Sequence, residues 1–175
     1  MWQQSIGFFI EVISTILIFV GLLVAAYQIH QTRLSLDQSA EHHKQANIWN
    51  RKVAAQQALD QLKGSPVLSK LQSRFRYIDH KEVIPLGELR AAFEADPDLQ
   101  PDLYELLNSY EKLARGVNLG IYDEEVIRVG RRGAMSKAYV AFREVIDARR
   151  TDYGAPNAWL ELERLVLRWE AQHAG

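Results

Sequence analysis

Apolar and polar positions are distributed very unevenly along this chain. From Ile6 to Ala26 every position is apolar or glycine except Glu11, Ser14 and Thr15. A helix rises about 1.5 Å per residue, so a run of this length spans roughly 30 Å, the thickness of a bilayer's hydrocarbon core. The pattern predicts one transmembrane helix over residues 1–27, bracketed by Trp2 and Tyr27, whose amphipathic rings suit the two headgroup layers. Beyond it no Gly or Pro interrupts Gln28 to Lys63, and from Thr32 up to about Asn47 only Leu34 and Leu36 are large and apolar. That stretch predicts a solvated helical stalk over 28–63. Towards its end Ile48, Trp49, Val53, Ala55, Leu59 and Leu62 form a stripe expected to pack into a folded domain, and Gly64-Ser65-Pro66 closes the helix.

Residues 64–175 continue with a helical period. Val67, Leu68, Leu71 and Phe75 predict a short helix after Pro66, ending near Tyr77, and Ile78 to Pro85 is a connection. Leu86, Leu89, Ala92 and Phe93 predict a helix over 86–95, stopped by Asp96-Pro97. Pro101 sits at the start of the next, where Leu103, Leu106, Leu107, Tyr110, Leu113 and Ala114 recur as far as Gly116. Asp123 with Glu124 and Glu125 makes an N-cap and an acidic first turn. The helix it opens should run towards Arg149, with a bend at Gly130 or Gly133. After a turn over 151–156, Trp159, Leu162, Leu165, Val166 and Trp169 predict a closing amphipathic helix. No stretch alternates with period two for long enough to be a strand. The fold class is all-α: a transmembrane helix, a helical stalk, then one helical-bundle domain over 64–175.

Composition narrows what such a chain can do. With 21 basic and 22 acidic residues the net charge is -1, which lacks the basic excess of a dedicated nucleic-acid binder. There is no cysteine, which removes disulfides, cysteine-ligated metals and thiol nucleophiles. His30, His42 and His43, beside Glu41, offer no pair of histidines at i and i+3 or i+4, so no metal site is expected; nor is a cofactor. Before the apolar run there is no Lys or Arg, whereas Arg33, Lys44, Arg51 and Lys52 follow it. The bias of basic residues towards the cytoplasm then places the N-terminus outside and the C-terminal domain in the cytoplasm. A cleavable signal peptide, with Val24-Ala25-Ala26 as cleavage site, is the competing reading; the uncharged start and the charge within the run oppose it.

Four groups of side chains carry candidate chemistry. Gly7, Glu11, Ser14, Ile18, Gly21 and Ala25 share one face of the membrane helix at heptad spacing. Small and polar residues at such spacing let helices approach closely, and a chain with one span must find its partner in another copy or another protein. Glu11 either reaches the near interface or faces an oligomer or pore. Asn108, Glu111 and Arg115 share a face of their helix; they suit a buried network tying that helix to the 116–123 loop, or a small-molecule pocket. Arg128, Arg131 and Arg132, and separately Arg149 and Arg150, are basic clusters, the first expected to pair with the nearby acids at 123–125. Finally, Arg168 and His173 fit the Arg-x4-6-His pattern of HEPN-type ribonucleases, as do Arg74 and His80, a spacing that chance readily produces among five histidines.

The run Asn108-Ser-Tyr-Glu-Lys-Leu-Ala-Arg-Gly-Val-Asn-Leu-Gly-Ile-Tyr-Asp-Glu-Glu125, with Ile146-Asp-Ala-Arg-Arg150 and Leu165-Val-Leu-Arg-Trp169, resembles a bacterial family of small proteins catalogued as domain of unknown function 4760. The resemblance implies an N-terminal membrane helix followed by an all-helical region and supplies no chemistry. It locates the protein at a bacterial cytoplasmic membrane.

Taken together, these features lead to the expectation of a non-enzymatic membrane protein that self-associates through its first helix and shows a helical cytoplasmic domain to a protein partner. It would act as a scaffold, or as a membrane-perturbing effector of the kind bacterial anti-phage systems use. Its partners are membrane lipid and further copies of itself, with no specific nucleic acid. A membrane-tethered HEPN-like ribonuclease using Arg168 and His173, and a ligand sensor built on Asn108, Glu111 and Arg115, are the alternatives.

Overall fold

The computed structural model describes residues 2–79 and 82–172, with side chains from Val20 onwards except that of Asp37. Gly7, Glu11 and Ser14 therefore lie outside the described side chains, and His80 and His173 outside the described residues. Among the described residues there are seven helices and no strand: α1 (Trp2–Leu62), α2 (Pro66–Phe75), α3 (Leu86–Ala95), α4 (Leu99–Asn118), α5 (Glu124–Ala141), α6 (Arg143–Thr151) and α7 (Leu160–Ala171). The chain is all-α. It divides into two compact units, Met1–Asn47 and Ile48–Gly175.

In the first unit every described side chain is exposed. Val20, Leu22, Leu23, Val24, Tyr27 and Ile29 are 50% to 69% open, and Gly21 has nothing within 4 Å of where a Cβ would stand. The polar side chains bond along the helix itself. Gln31 donates to the Tyr27 hydroxyl at 3.0 Å, Thr32 to the Gln28 carbonyl at 2.8 Å and Gln45 to Glu41 at 3.2 Å. Among the described residues no helix is long and apolar enough to cross a membrane, and positions 6–19 of the apolar run fall outside the described side chains.

The second unit is built round α4. Leu103, Leu106, Leu107, Tyr110, Leu113, Ala114 and Val117 are all buried, a stripe wide enough to be covered on several sides. The helix packs against α2, α3, α5 and α7; α7 also meets α5, and α3 meets α6. From α1 the unit takes Ala55 and Leu59, both buried, with Leu62 and Ala58 partly so. Trp49, expected in the same stripe, is instead 67% exposed, nearly two turns before the helix reaches the core at Ala55.

Three helix boundaries depart from the sequence expectation, each for a visible reason. α4 continues through Gly116 to Asn118 because this glycine is a packing requirement and not a stop: a Cβ there would run into the Tyr122 ring. α5 passes both glycines unbroken and ends at Phe142, whose φ of -101° and ψ of 19° separate it from α6. The cause is the 78–85 connection docking across this point: Ile84 N–H donates to the Ala141 carbonyl at 2.9 Å, and Leu86 N–H to the Glu144 carboxylate. Gly130 instead serves close approach, since a Cβ there would stand 2.7 Å from Cδ1 of Leu59 on α1. Trp159, expected as the first apolar residue of the closing helix, precedes α7 in the left-handed region, at φ 53°.

Candidate functional site

The start of α7 brings together the residues singled out on α4. A helix begins with backbone N–H groups that no preceding turn can satisfy, and they favour a negative partner. Here that partner comes from another helix. The buried carboxylate of Glu111 accepts from Leu162 N–H at 2.8 Å and from Glu161 N–H at 3.3 Å. One turn earlier on α4, Asn108 Oδ1 accepts from the Trp159 indole N–H at 2.9 Å, which holds the left-handed residue against Tyr104 with ring centroids 5.6 Å apart. Two turns later, Asn118 donates to the Glu161 carboxylate at 2.6 Å. Arg115 reaches Glu111 at 3.5 Å from a side chain that is 63% exposed, a contact that solvent screens. Asn108, Glu111 and Arg115 are thus brought together as their spacing implies, but they tie α4 to α7 and not to the 116–123 loop.

The far end of α7 is held in the same way. Glu124, the first residue of α5, accepts from Arg168 Nη2 at 3.0 Å and from the Trp169 indole N–H at 2.8 Å. Arg168 is therefore occupied by an ion pair between helices, whatever His173 does. Arg74, from the other Arg-x4-6-His match, lies 5.9 Å from the centroid of the Phe75 ring. Asp123 caps α5 through Val126 N–H at 3.1 Å, and Arg128 pairs with Glu125 at 2.6 Å, as the local acid and base pattern implies.

In the first turn of α7, Glu163 collects three donors that the sequence did not single out for it. Tyr139 Oη donates at 2.5 Å, Arg143 at 2.9 Å and Arg150 at 2.7 Å. These partners lie 24, 20 and 13 residues away, on α5 and α6, so no helical spacing announces them. A single half-buried carboxylate thereby pairs with two arginines, one of which Asp147 also holds, and joins three helices.

Arg149, next along α6, behaves differently from its neighbour. Its guanidinium carbon stands 5.6 Å from the Tyr104 ring centroid and 5.2 Å from that of Tyr153, and it pairs with no carboxylate among the described residues. Two clefts meet at this side chain. One, of about 270 Å³, runs between α3, the start of α4 and α6; the other, of about 300 Å³, lies between α4 and the approach to α7, beside Asn108 and Asn157.

Deeper in the unit, Tyr77 and Tyr110 are fully buried, and among the described residues neither hydroxyl has a hydrogen-bond partner of normal geometry. Burial pushes both phenols above their ordinary range; the two hydroxyls also act on each other, Tyr110 lowering Tyr77 and Tyr77 raising Tyr110, and the nearby Arg131 charge opposes the shift in both. Among the described residues no three His, Asp or Glu side chains gather as a metal site. His30, His42 and His43 are all exposed on α1.

The family model described as domain of unknown function 4760 matches residues 15–169, which takes in all of α2 to α6 and most of α7. No curated protein and no solved structure matches the chain. With nearly its whole length inside the match, the chain belongs to the DUF4760 family.

Proposed function

We propose that this chain is a non-enzymatic, membrane-tethered module that self-associates through its N-terminal helix and offers the helical domain to a protein partner in the cytoplasm. The observation that carries the reading is the uncovered apolar surface of α1, where Val20, Leu22, Leu23 and Val24 are at least half exposed. Apolar side chains of this size normally bury about 1.5 to 3 kcal/mol each, so consecutive ones on a helix call for lipid or another helix. They continue the run that begins at Ile6, whose one carboxylate, Glu11, shares a heptad face with Gly7, Ser14, Gly21 and Ala25. Gly21 and Ala25 are both exposed, with space beside Gly21 for a neighbouring backbone.

The non-enzymatic part rests on how the other candidates are used. Asn108 and Glu111 spend their acceptors on the start of α7, and Arg168 spends its charge on Glu124. None of them is left with the freedom a reacting group needs. The test is crosslinking of the full chain in bacterial membranes, comparing wild type with Glu11→Leu and Gly21→Leu. The expected result is ladders of crosslinked copies that both substitutions abolish, with the chain still in the membrane fraction. Unchanged ladders in both variants would overturn self-association through this face, and recovery of wild type in the soluble fraction would overturn the tether.

A further inference from the structure

The strongest feature without a structural task is the cleft of about 270 Å³ between α3 and α6. It is lined by the apolar Leu86, Phe93, Val145 and Ala148 and by the cationic Arg90 and Arg149. Arg150 and Arg143 show what arginines on α6 do when they serve the fold: both reach across to Glu163. Arg149 makes no such bond. It is half-buried, stacked on Tyr104 and Tyr153, and neither it nor Arg90 forms an ion pair with any described carboxylate. The Tyr104 hydroxyl is itself fixed, accepting from Gln100 at 3.1 Å, so the ring under the guanidinium is held in place.

A guanidinium that lies over aromatic rings can keep its planar fork of donors at the edge, where a carboxylate can take two parallel hydrogen bonds. The ring contacts also fix the side chain before anything binds, which removes part of the entropy cost of ordering it. Leu86 and Phe93 lie on the same cleft wall as Arg90, so an apolar group and a charge are read together. Its volume suits a compact body such as one aromatic ring with a short tail.

We infer that this cleft is a binding site for a small aromatic carboxylate, with the carboxylate on Arg149 and the ring against Leu86, Phe93 and Val145. Arg90 adds charge at the mouth, which Glu94 at the same rim partly offsets. Arg149 is also a wall of the second cleft, beside Trp159, so occupancy should be felt at that indole.

The probe is 3-phenylpropionate, titrated calorimetrically into the purified full chain with tryptophan fluorescence followed in parallel. Its uncharged analogue 3-phenylpropanol and inorganic phosphate serve as controls for ring and charge alone. The expected result is saturable binding in the micromolar to millimolar range, at least tenfold weaker for both controls and at least tenfold weaker in Arg149→Gln. Arg149→Lys keeps the charge without the fork and should bind between the two. A variant that fills the cleft from its lining, Ala148→Leu, should lose binding while leaving Arg149 in place, which separates loss of the site from loss of the fold. The inference is overturned if the probe does not bind wild type, if 3-phenylpropanol binds equally well, or if Arg149→Gln binds as tightly as wild type while melting at the wild-type temperature.

Discussion

Two sets of apolar side chains on α1 have opposite fates. Val20, Leu22, Leu23 and Val24 stand open, whereas Ala55 and Leu59, further along the same helix, are buried against the bundle. The difference lies in the surroundings. At Leu59 the facing helix carries Gly130, whose missing side chain lets the leucine sink in; among the described residues nothing comparable faces Leu22. Hydrophobicity sets which surface wants covering, and only the partner's shape says what covers it.

Substitutions in the bundle should therefore cost folding free energy, and substitutions in the open half of α1 should cost assembly alone. The largest effect is expected from Glu111→Ala, which strips two backbone N–H groups at the start of α7 of their acceptor. A loss of about 2 to 3 kcal/mol is expected in thermal or urea melts, with Glu111→Gln losing about half of that. Gly116→Ala comes next: the new methyl must displace the Tyr122 ring, at about 1 to 3 kcal/mol, while Gly130→Ala should cost less because only the end of Leu59 has to move.

Smaller still is the double change Tyr77→Phe with Tyr110→Phe, which removes two buried unpartnered hydroxyls and should leave stability at pH 7 unchanged or slightly raised. Its signature is alkaline. Both phenols are held neutral in the folded state, above the ordinary value of 10.0. Their contribution is intact below that pH and is lost as pH rises beyond it, when the unfolded chain ionises and the folded one cannot. The double variant should show a shallower fall in melting temperature above pH 10. The smallest effect on folding is expected from Leu22→Ser with Leu23→Ser: no change in the melt of the bundle, measured beside a clear loss of crosslinked copies in membranes. A lowered melt in that variant would mean that the open half of α1 supports the fold after all.

Much of this arrangement was legible in the chain. The helix over 86–95, the cap at Asp123 and the stop at Gly64-Ser65-Pro66 follow from local rules, and the structure places them where those rules do. What could not be read were the events that depend on a distant segment. The α5/α6 break at Phe142 exists because Ile84, nearly sixty residues earlier, docks on the Ala141 carbonyl, while the two glycines that invited a bend were needed for approach or left in the open. Asn108 and Glu111 could be seen as a pair, but not that their partners begin at Trp159, because a helix start can recruit its cap from any neighbour. Glu163 and Arg149 illustrate the same point from both sides: each is an ordinary charge in the sequence, and only the bundle gives one three donors and the other none of the acids.

The turn before α5 has one more consequence. Asp123 N–H donates to the Arg51 carbonyl on α1 at 3.3 Å, Arg51 Nη2 donates to the Tyr122 carbonyl at 3.4 Å, and the very next residue, Glu124, holds Arg168 and Trp169 of α7. Two adjacent residues thus serve as a shear pin between the first and last helices of the bundle. The contacts of α1 at Arg51 and those of the last turn of α7 therefore meet within one peptide unit.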